Sequence, residues 1–524
     1  GYQDDNIRTQ WPWRDWVIHA FNKNLPYDQF LTWQIAGDML PEATKEQMLA
    51  TGFFRNHKYT EEGGVIEEEY RIEYLLDKTK TFSKGILGVT VECAQCHDHK
   101  YDPFSQKEYF SLLAFFNNTK ELGFEGDVSV SKPAKNPLIT INDEEVKSIL
   151  SFINKKDTGT MTVSVMGELK DTVRKTYVLN RGLYNAPTDL VTPDVPKAIL
   201  PFDSSAYPKN RIGLAKWTVD ERNPLTARVF VNQVWQEIFG RGLVKTTGDF
   251  GMQGELPSHP ELLDWLAVDF REHHWDIKRL MKQIIMSSTY RQSAVTTPEK
   301  LKLDPDNVYL SHAPRVRVKA ELVRDVVLAS SGLLVRSIGG PSVKPYQPKG
   351  LWEAATSGRG VLASYRQDHG DDLYRRGLYT FIKLTVPPPS MILFDASNRD
   401  QCEVKRSKTN TPLQALMMMN DPLVMEGSRV MAEDMLSKKI ADQAAVEMAF
   451  RRIIARRPSE KEKTTLIGYY NDQLKLFTEK KLDATPIATA GEYPTNKKLD
   501  PSKVAALAKT IQAIYNLEEA ITKT

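Results

Sequence analysis

Cysteine is scarce in this chain: only Cys93, Cys96 and Cys402 occur among 524 residues. Three cysteines cannot build a disulfide framework, and a chain this long buries a core large enough to do without one. Long apolar runs are missing as well. No stretch of about 20 apolar residues occurs, which excludes a membrane-spanning helix in this sequence. Excess charge of one sign is also lacking. Lys and Arg number 70 against 67 Asp and Glu, for a net charge of +3, and that argues against nucleic-acid binding, which calls for a basic face. The chain opens on Gly1 with no initiating Met, and its polar first ten residues run straight into an aromatic segment. It therefore reads as the later part of a longer or processed product, and its location must be inferred from its chemistry. What is present is ordinary for a globular protein, 41% hydrophobic and 26% charged. The length suggests two to four domains of about 150 residues.

Apolar spacing predicts a mainly α protein, two helical modules joined by a small β-containing connector. Residues 11–40 read as helix, broken at Pro26, and 66–90 as another. A short amphipathic helix, YFSLLAFFNN, follows a loop around Pro103. Residues 125–200 alternate β-branched pieces (LITI, TMTVSVM, TYVL) with turn residues and end in a Pro-rich passage. Helical patterning returns over 210–295, including LTARVFVNQVWQEIFG, which ends at Gly240. Pro387, Pro388 and Pro389 argue against regular structure there. Residues 411–470 and the last segment, SKVAALAKTIQAIYNLEEA, are helical again. The expected division is 1–124, a CxxCH-containing module; 125–200, the connector; 201–435, a second helical module; and 436–524, C-terminal helices and tail.

Cys93-Ala94-Gln95-Cys96-His97 is a CxxCH motif. Two thiols so spaced on a helical turn can add to the two vinyl groups of haem, and the adjacent imidazole then becomes the proximal iron ligand. Two other chemistries use similar residues. A zinc site would take Cys93, Cys96, His97 and His99, but these lie closer together than the usual separated ligand pairs. A CxxC redox pair would normally open a helix after a strand, and no βαβ pattern surrounds it. Haem c is the expected cofactor, with a divalent metal as the alternative. Haem c is assembled outside the cytoplasm, so a periplasmic or extracellular location is expected. The sixth iron position is open. His57, in the polar loop GFFRNHKYTEEGG, is the candidate distal ligand; a Met or a five-coordinate iron are the alternatives. Met417–Met419 reads as helix core, and Cys402 as a buried inert thiol.

Three stretches resemble a known family: GYQDDNIRTQWPWRDWVIHAFNKNLPYDQF, ATGFFRNHKYTEEGG and CAQCHDHKYDPFSQKEYFSLLAFFNN. They are similar to the planctomycete-type cytochrome-like domain, a CxxCH-containing domain of unknown function. NPLTARVFVNQVWQEIFGRGLVKTTGDFGMQGELPSHPELLDWLA, STYRQSA and RRGLYTFIKLTVPPPSMILFDASNRDQCEVKRSKTNTPLQALMMMNDP resemble its usual C-terminal partner domain, and TYVLNRGLYNAPTDLVTPDVP the family's junction. The resemblance covers roughly residues 1–435. It implies a secreted or periplasmic protein, often with another cytochrome domain upstream, encoded beside sulfatases and other polysaccharide-degrading proteins. By position, Cys93, Cys96 and His97 match the family's haem-like motif. His57, His99, Asp102 and Cys402 match motif positions without an assigned role. The family's activity is unknown; the CxxCH motif in this setting leads to the expectation of electron transfer or haem-linked oxidation–reduction near polysaccharide catabolism. The implied partners are a redox protein or that upstream domain. A carbohydrate-acting or carbohydrate-binding protein, or a subunit of an extracellular assembly, is the alternative.

Several other groups carry weaker signals. His99 and Asp102 stand near the motif, and Asp102 is expected to cap the next helix. Glu69, Glu73 and Asp77 recur every four residues, a spacing that suits a solvated helix face balanced by Arg71 and Lys78 better than a cation site. Asp249, Glu255, His259 and Asp264 resemble an acid/base set. However, Ser258-His259-Pro260-Glu261 also fits a helix entry, with Ser258 as cap and Pro260 first. Arg375, Arg376, Lys405, Arg406 and Lys408 form a basic cluster that suits a sulfated or carboxylated sugar, or ion pairs that hold the Pro-rich loop. Most Trp and Tyr lie at core spacing rather than as sugar-stacking faces.

Overall fold

About half of the described α-helices start at residues that satisfy their first free amides. Thr44, Ser105 and Ser459 each form a reciprocal capping box, with Gln47, Glu108 and Glu462 respectively. Asn210, Asp276 and Asp500 cap three more through their side chains. The computed structural model describes residue 2 and residues 5–126, 132–142, 161–356 and 362–523. Gly1, Thr160 and parts of the expected connector (127–131 and 143–160) lie outside the described residues.

The molecule is mainly α. Helices Trp11–Asn22 and Tyr27–Ala36 flank the break at Pro26. Helix Glu67–Phe82 runs into one wide π turn, Ser83–Leu87, and stops at Gly88 (φ 63°). A Cβ on Gly88 would stand 2.7 Å from Val229 Cγ2, so the left-handed turn and the close approach both favour glycine. Helix Gln106–Asn117 is buried continuously from Tyr109 to Asn117, not amphipathic as expected. Its Phe, Leu and Tyr side chains point all round, and a helix apolar on every side is a core helix. Helix Thr226–Phe239 ends at Gly240 as expected. At Pro389 a short helix, Pro389–Leu393, begins where the prolines suggested none, because proline is tolerated in a first turn whose amides are free anyway.

Strands are few and short. Leu138–Ile141 pairs antiparallel with Met161–Ser164, Thr176–Leu179 with Pro187–Val191, and Val316–Arg317 with Thr522–Lys523. Ile141, Val163, Val178, Leu179 and Val191 all enter the first core.

Apolar packing forms two large cores. One core runs from Trp16 to Ile284 and a second from Ala320 to Ala520. Side chains on both sides of residues 124 and 200 belong to the first core, and both sides of 435 to the second. The last helix, Pro501–Tyr515, explains the latter: Val504, Leu507, Ile511, Ile514 and Tyr515 are all buried in the second core. Arg211 locks the first core together. It is fully buried, and it donates to Asp38 of the early helices and to Glu168 beyond the first hairpin. No described helix is long and apolar enough to cross a membrane.

Candidate functional site

The CxxCH motif sits on a single 3-10 turn, Glu92–Gln95, with Cys96 as the cap that follows it, rather than on an α-helical turn. Side chains three apart eclipse one another in such a turn, so this conformation sets positions 93 and 96 on one side. Ala94 is fully buried and pins the turn to the core, while Cys93, Cys96 and His97 are exposed. Both thiols are free. Two contacts fix the turn from behind: the Gln106 amide donates to Gln95 O (3.0 Å) and Leu179 O (3.1 Å). The hairpin tip presses on it too, with Cys96 Sγ 3.3 Å from Arg181 O. His97 Nδ1 donates to Asp98 O at 2.7 Å. That bond selects the tautomer whose Nε2 carries the lone pair, the form that binds metals.

These residues fit haem c: two accessible thiols at the required spacing and an exposed imidazole with its outer nitrogen basic. They fit a zinc site less well. His99, the fourth member of that set, is buried, and its Nδ1 accepts from the amides of Asp102 (2.8 Å) and Tyr101 (3.3 Å). Among the described residues no three His, Cys, Asp or Glu side chains converge as a metal cage.

Asp102 does not cap the next helix. Ser105 does so with Glu108, and Asp98 Oδ1 accepts from Gln106 N at 2.8 Å. Instead, Asp102 Oδ1 accepts from Met252 N at 2.7 Å, across 150 residues of sequence. A Cβ on Gly251 would lie 2.5 Å from that oxygen, so only glycine lets the two loops approach this closely. His99 Nε2 and Asp102 Oδ2 are buried with no hydrogen-bond partner among the described residues, although Asp102 Oδ2 lies 3.4 Å from His99 Nδ1.

His57 lies elsewhere, inside a buried ionic cluster. Nδ1 donates to Lys58 O (2.8 Å), and Nε2 faces Lys78 Nζ (3.3 Å) and Glu121 Oε1 (2.8 Å). Both ring nitrogens are thus engaged, and as arranged neither can serve as the distal iron ligand. Glu121 also takes Tyr59 (2.7 Å), Arg55 (3.0 Å) and Lys78. Desolvation and then the Lys78 charge push the His57 pKa down to about 4. The Arg55 and Lys78 charges outweigh burial at Glu121 and hold its carboxyl well below the usual range. Sequence reading missed this cluster because Arg55, Lys78 and Glu121 look like surface residues on paper.

A cleft of about 790 Å³ opens beside the motif turn. Its walls include Lys84 and Thr90 from the motif's own segment, Thr246–Asp249, and Gln401–Lys405. Lys80 spans the rim, meeting Gln401 Oε1 at 2.7 Å and Glu92 at 3.4 Å. Cys402 lines this cleft half-buried, with burial raising its thiol pKa, rather than sitting sealed in a core.

The remaining candidates separate. Of the acid/base set, Asp249 and Glu255 line the cleft, but Glu255 pairs with Lys245 (3.1 Å) and Asp264 with Arg228 (2.6 Å). Pro260 opens its helix as expected, but His259 holds the cap position, and the Ser258 hydroxyl meets Leu243 O and His259. Arg71 pairs with Glu68 and Lys78 with Glu121; the Lys78 charge still acts on Asp77, whose carboxyl pKa burial nonetheless raises. The basic cluster divides too. Arg375 is buried, donating to Pro341 O (3.0 Å) and Gly339 O, with its guanidinium over Tyr379, so it holds a loop. Arg376 faces Asp325 and Arg406 pairs with Glu321 (2.8 Å). Of the three methionines only Met418 is buried.

No curated protein and no solved structure matches this chain. Two family models do. Residues 1–121 match PSCyt2, protein of unknown function (DUF1549), and this segment includes the motif turn, His99 and Asp102. Residues 210–470 match PSD1, protein of unknown function (DUF1553), and include Met252 and the far wall of the cleft. The chain therefore carries the planctomycete-type pair of families, a PSCyt2 region followed by a PSD1 region.

Proposed function

We propose that the turn Cys93–His97 carries covalent haem c, and that the protein is an electron-transfer or haem-linked oxidoreductase working outside the cytoplasm near polysaccharide catabolism. The observation that carries this reading is the motif's geometry: two free, exposed thiols beside a histidine whose Nδ1–H is committed to Asp98 O. Cys93 and Cys96 would hold it through thioethers, each S–H adding across one vinyl group with no oxidant consumed. His97 would offer Nε2 as proximal ligand, with the Asp98 carbonyl orienting its ring. Haem held there would supply one-electron chemistry, and the exposed thiols and imidazole leave the turn open to a redox protein or an upstream cytochrome domain.

The test is expression of the full chain in a host that matures c-type cytochromes. The purified protein should show a Soret band and, after dithionite, sharp α and β bands. Peptide mass spectrometry should find haem on Cys93 and Cys96. Cys93→Ser with Cys96→Ser should lose the covalent adduct, and His97→Ala should keep the thioethers but change the spectrum. A colourless protein holding stoichiometric zinc would sink the proposal.

A further inference from the structure

A second depression, about 450 Å³, lies where the two cores meet. Its walls are the last turn of helix Thr226–Phe239, residues 316–319, residues 403–408, and Lys523 from the final strand. Six cations line it, Arg317, Lys319, Lys405, Arg406, Lys408 and Lys523, against the carboxylates Glu237, Asp395 and Glu403. The whole chain is nearly neutral, so this is a local concentration of positive charge.

Internal pairing uses half of those cations. Arg317 is tied to Asp395, Lys319 to Glu237 (2.7 Å) and Arg406 to Glu321 (2.8 Å). Among the described residues the other three have no carboxylate partner: Lys405 reaches Lys245 O (3.1 Å), Lys408 reaches Gly240 O (3.5 Å), and Lys523 reaches Ile238 O (3.1 Å) and lies over the Tyr290 ring. A carbonyl dipole at a helix end offsets only part of an ammonium charge. Desolvation, with repulsion from Lys319, Arg317 and Lys405, holds Lys408 below its usual pKa despite Glu237. Like charges collected in a concave site are a recurring mark of a binding site for the opposite charge.

We propose that this trough binds a small, multiply charged oxyanion through Lys405, Lys408 and Lys523. The volume suits a small ligand. Of its lining residues only Phe394 is aromatic, so it lacks the stacking platform that single-stranded nucleic acid uses. Sulfate esters, phosphate esters and free carboxylates on a small polyol share the required chemistry, and the experiment separates them. An anion held by these three lysines binds the folded chain alone, because they converge only once residues 405–408 and 523 are brought together. It would therefore raise thermal stability as well as bind. The site does not depend on haem at the motif turn.

Calorimetric titration of the full chain at low ionic strength would use sucrose octasulfate, inositol hexakisphosphate and trigalacturonate as probes, with oligothymidylate as the polymeric control. The strongest small probe identifies the anion class, and it should raise the melting temperature and weaken with salt. Lys405→Gln, Lys408→Gln and Lys523→Gln keep a donor for each carbonyl while removing the charge. Together they should weaken binding by about tenfold or more. If the triple variant fails to fold, Lys408→Gln alone should weaken it several-fold. Binding of no small probe, equal binding by the Gln variants, or tighter binding of oligothymidylate than of every small probe would each overturn the proposal.

Discussion

His57 shows how little a residue's neighbours in sequence say about its chemistry. Its loop is polar and Gly-rich, which suggests exposure, yet the ring is buried against Lys78, Glu121 and Tyr74. Its folded pKa, about 4, lies below the ordinary 6.5. Between those values the unfolded chain takes up a proton that the folded chain refuses, so stability falls as pH drops through the window. The loss should be on the order of 2 kcal/mol by pH 4.5. Glu121 acts in the same direction at lower pH, because its depressed carboxyl contributes stability above its unfolded pKa that is lost on further acidification. Calorimetric melting at pH steps from 7 to 4.5 should show this slope in the parent and a flatter one in His57→Gln; parallel curves would refute the assignment. The motif is the opposite case. Cys93, Cys96 and His97 could be singled out because the motif is defined by spacing, and spacing is a property of sequence.

At the scale of elements, the capping box at Ser105 matters beyond its own helix. Gln106, the first residue of that helix, holds the motif turn through its side chain and the Asp98 carboxylate through its amide. Ser105→Ala should cost about 1 kcal/mol. It should also raise amide exchange over residues 93–108 well before global unfolding. Unchanged exchange there would show that the turn is held by other contacts. Helical periodicity located most of these elements, as with Thr226–Phe239 and its stop at Gly240. It failed at helix Gln106–Asn117, where the neighbouring hairpin Thr176–Val191 covers a face that the pattern alone would leave to solvent.

For the whole molecule, the final helix is a structural member rather than a tail. Five large side chains of Pro501–Tyr515 enter the second core, at roughly 1.5–3 kcal/mol each. Their sum is comparable with the stability of a whole domain, about 5–15 kcal/mol. A chain ending at Asp500 should therefore lose cooperative unfolding of the second core, and limited proteolysis should cut broadly between residues 320 and 480. Resistance equal to the parent's would show that the core closes without this helix. The cleft and the cationic trough belong to this scale too. Each is assembled from segments more than 100 residues apart, Lys84 with Cys402 in one and Gly240 with Lys408 in the other.

Sequence by itself determined the helical character, the positions of most helices, the lack of a long apolar run, and the CxxCH spacing on which the haem proposal rests. These are local properties, set by periodicity, caps and spacing within a few residues. Tertiary structure alone decided which polar residues are buried and where distant segments meet. It put His57 in an ionic cluster, turned Asp102 toward Met252, and separated Arg375 from Lys408. Burial and ion pairing depend on contacts across tens to hundreds of residues, and no local pattern encodes those partners.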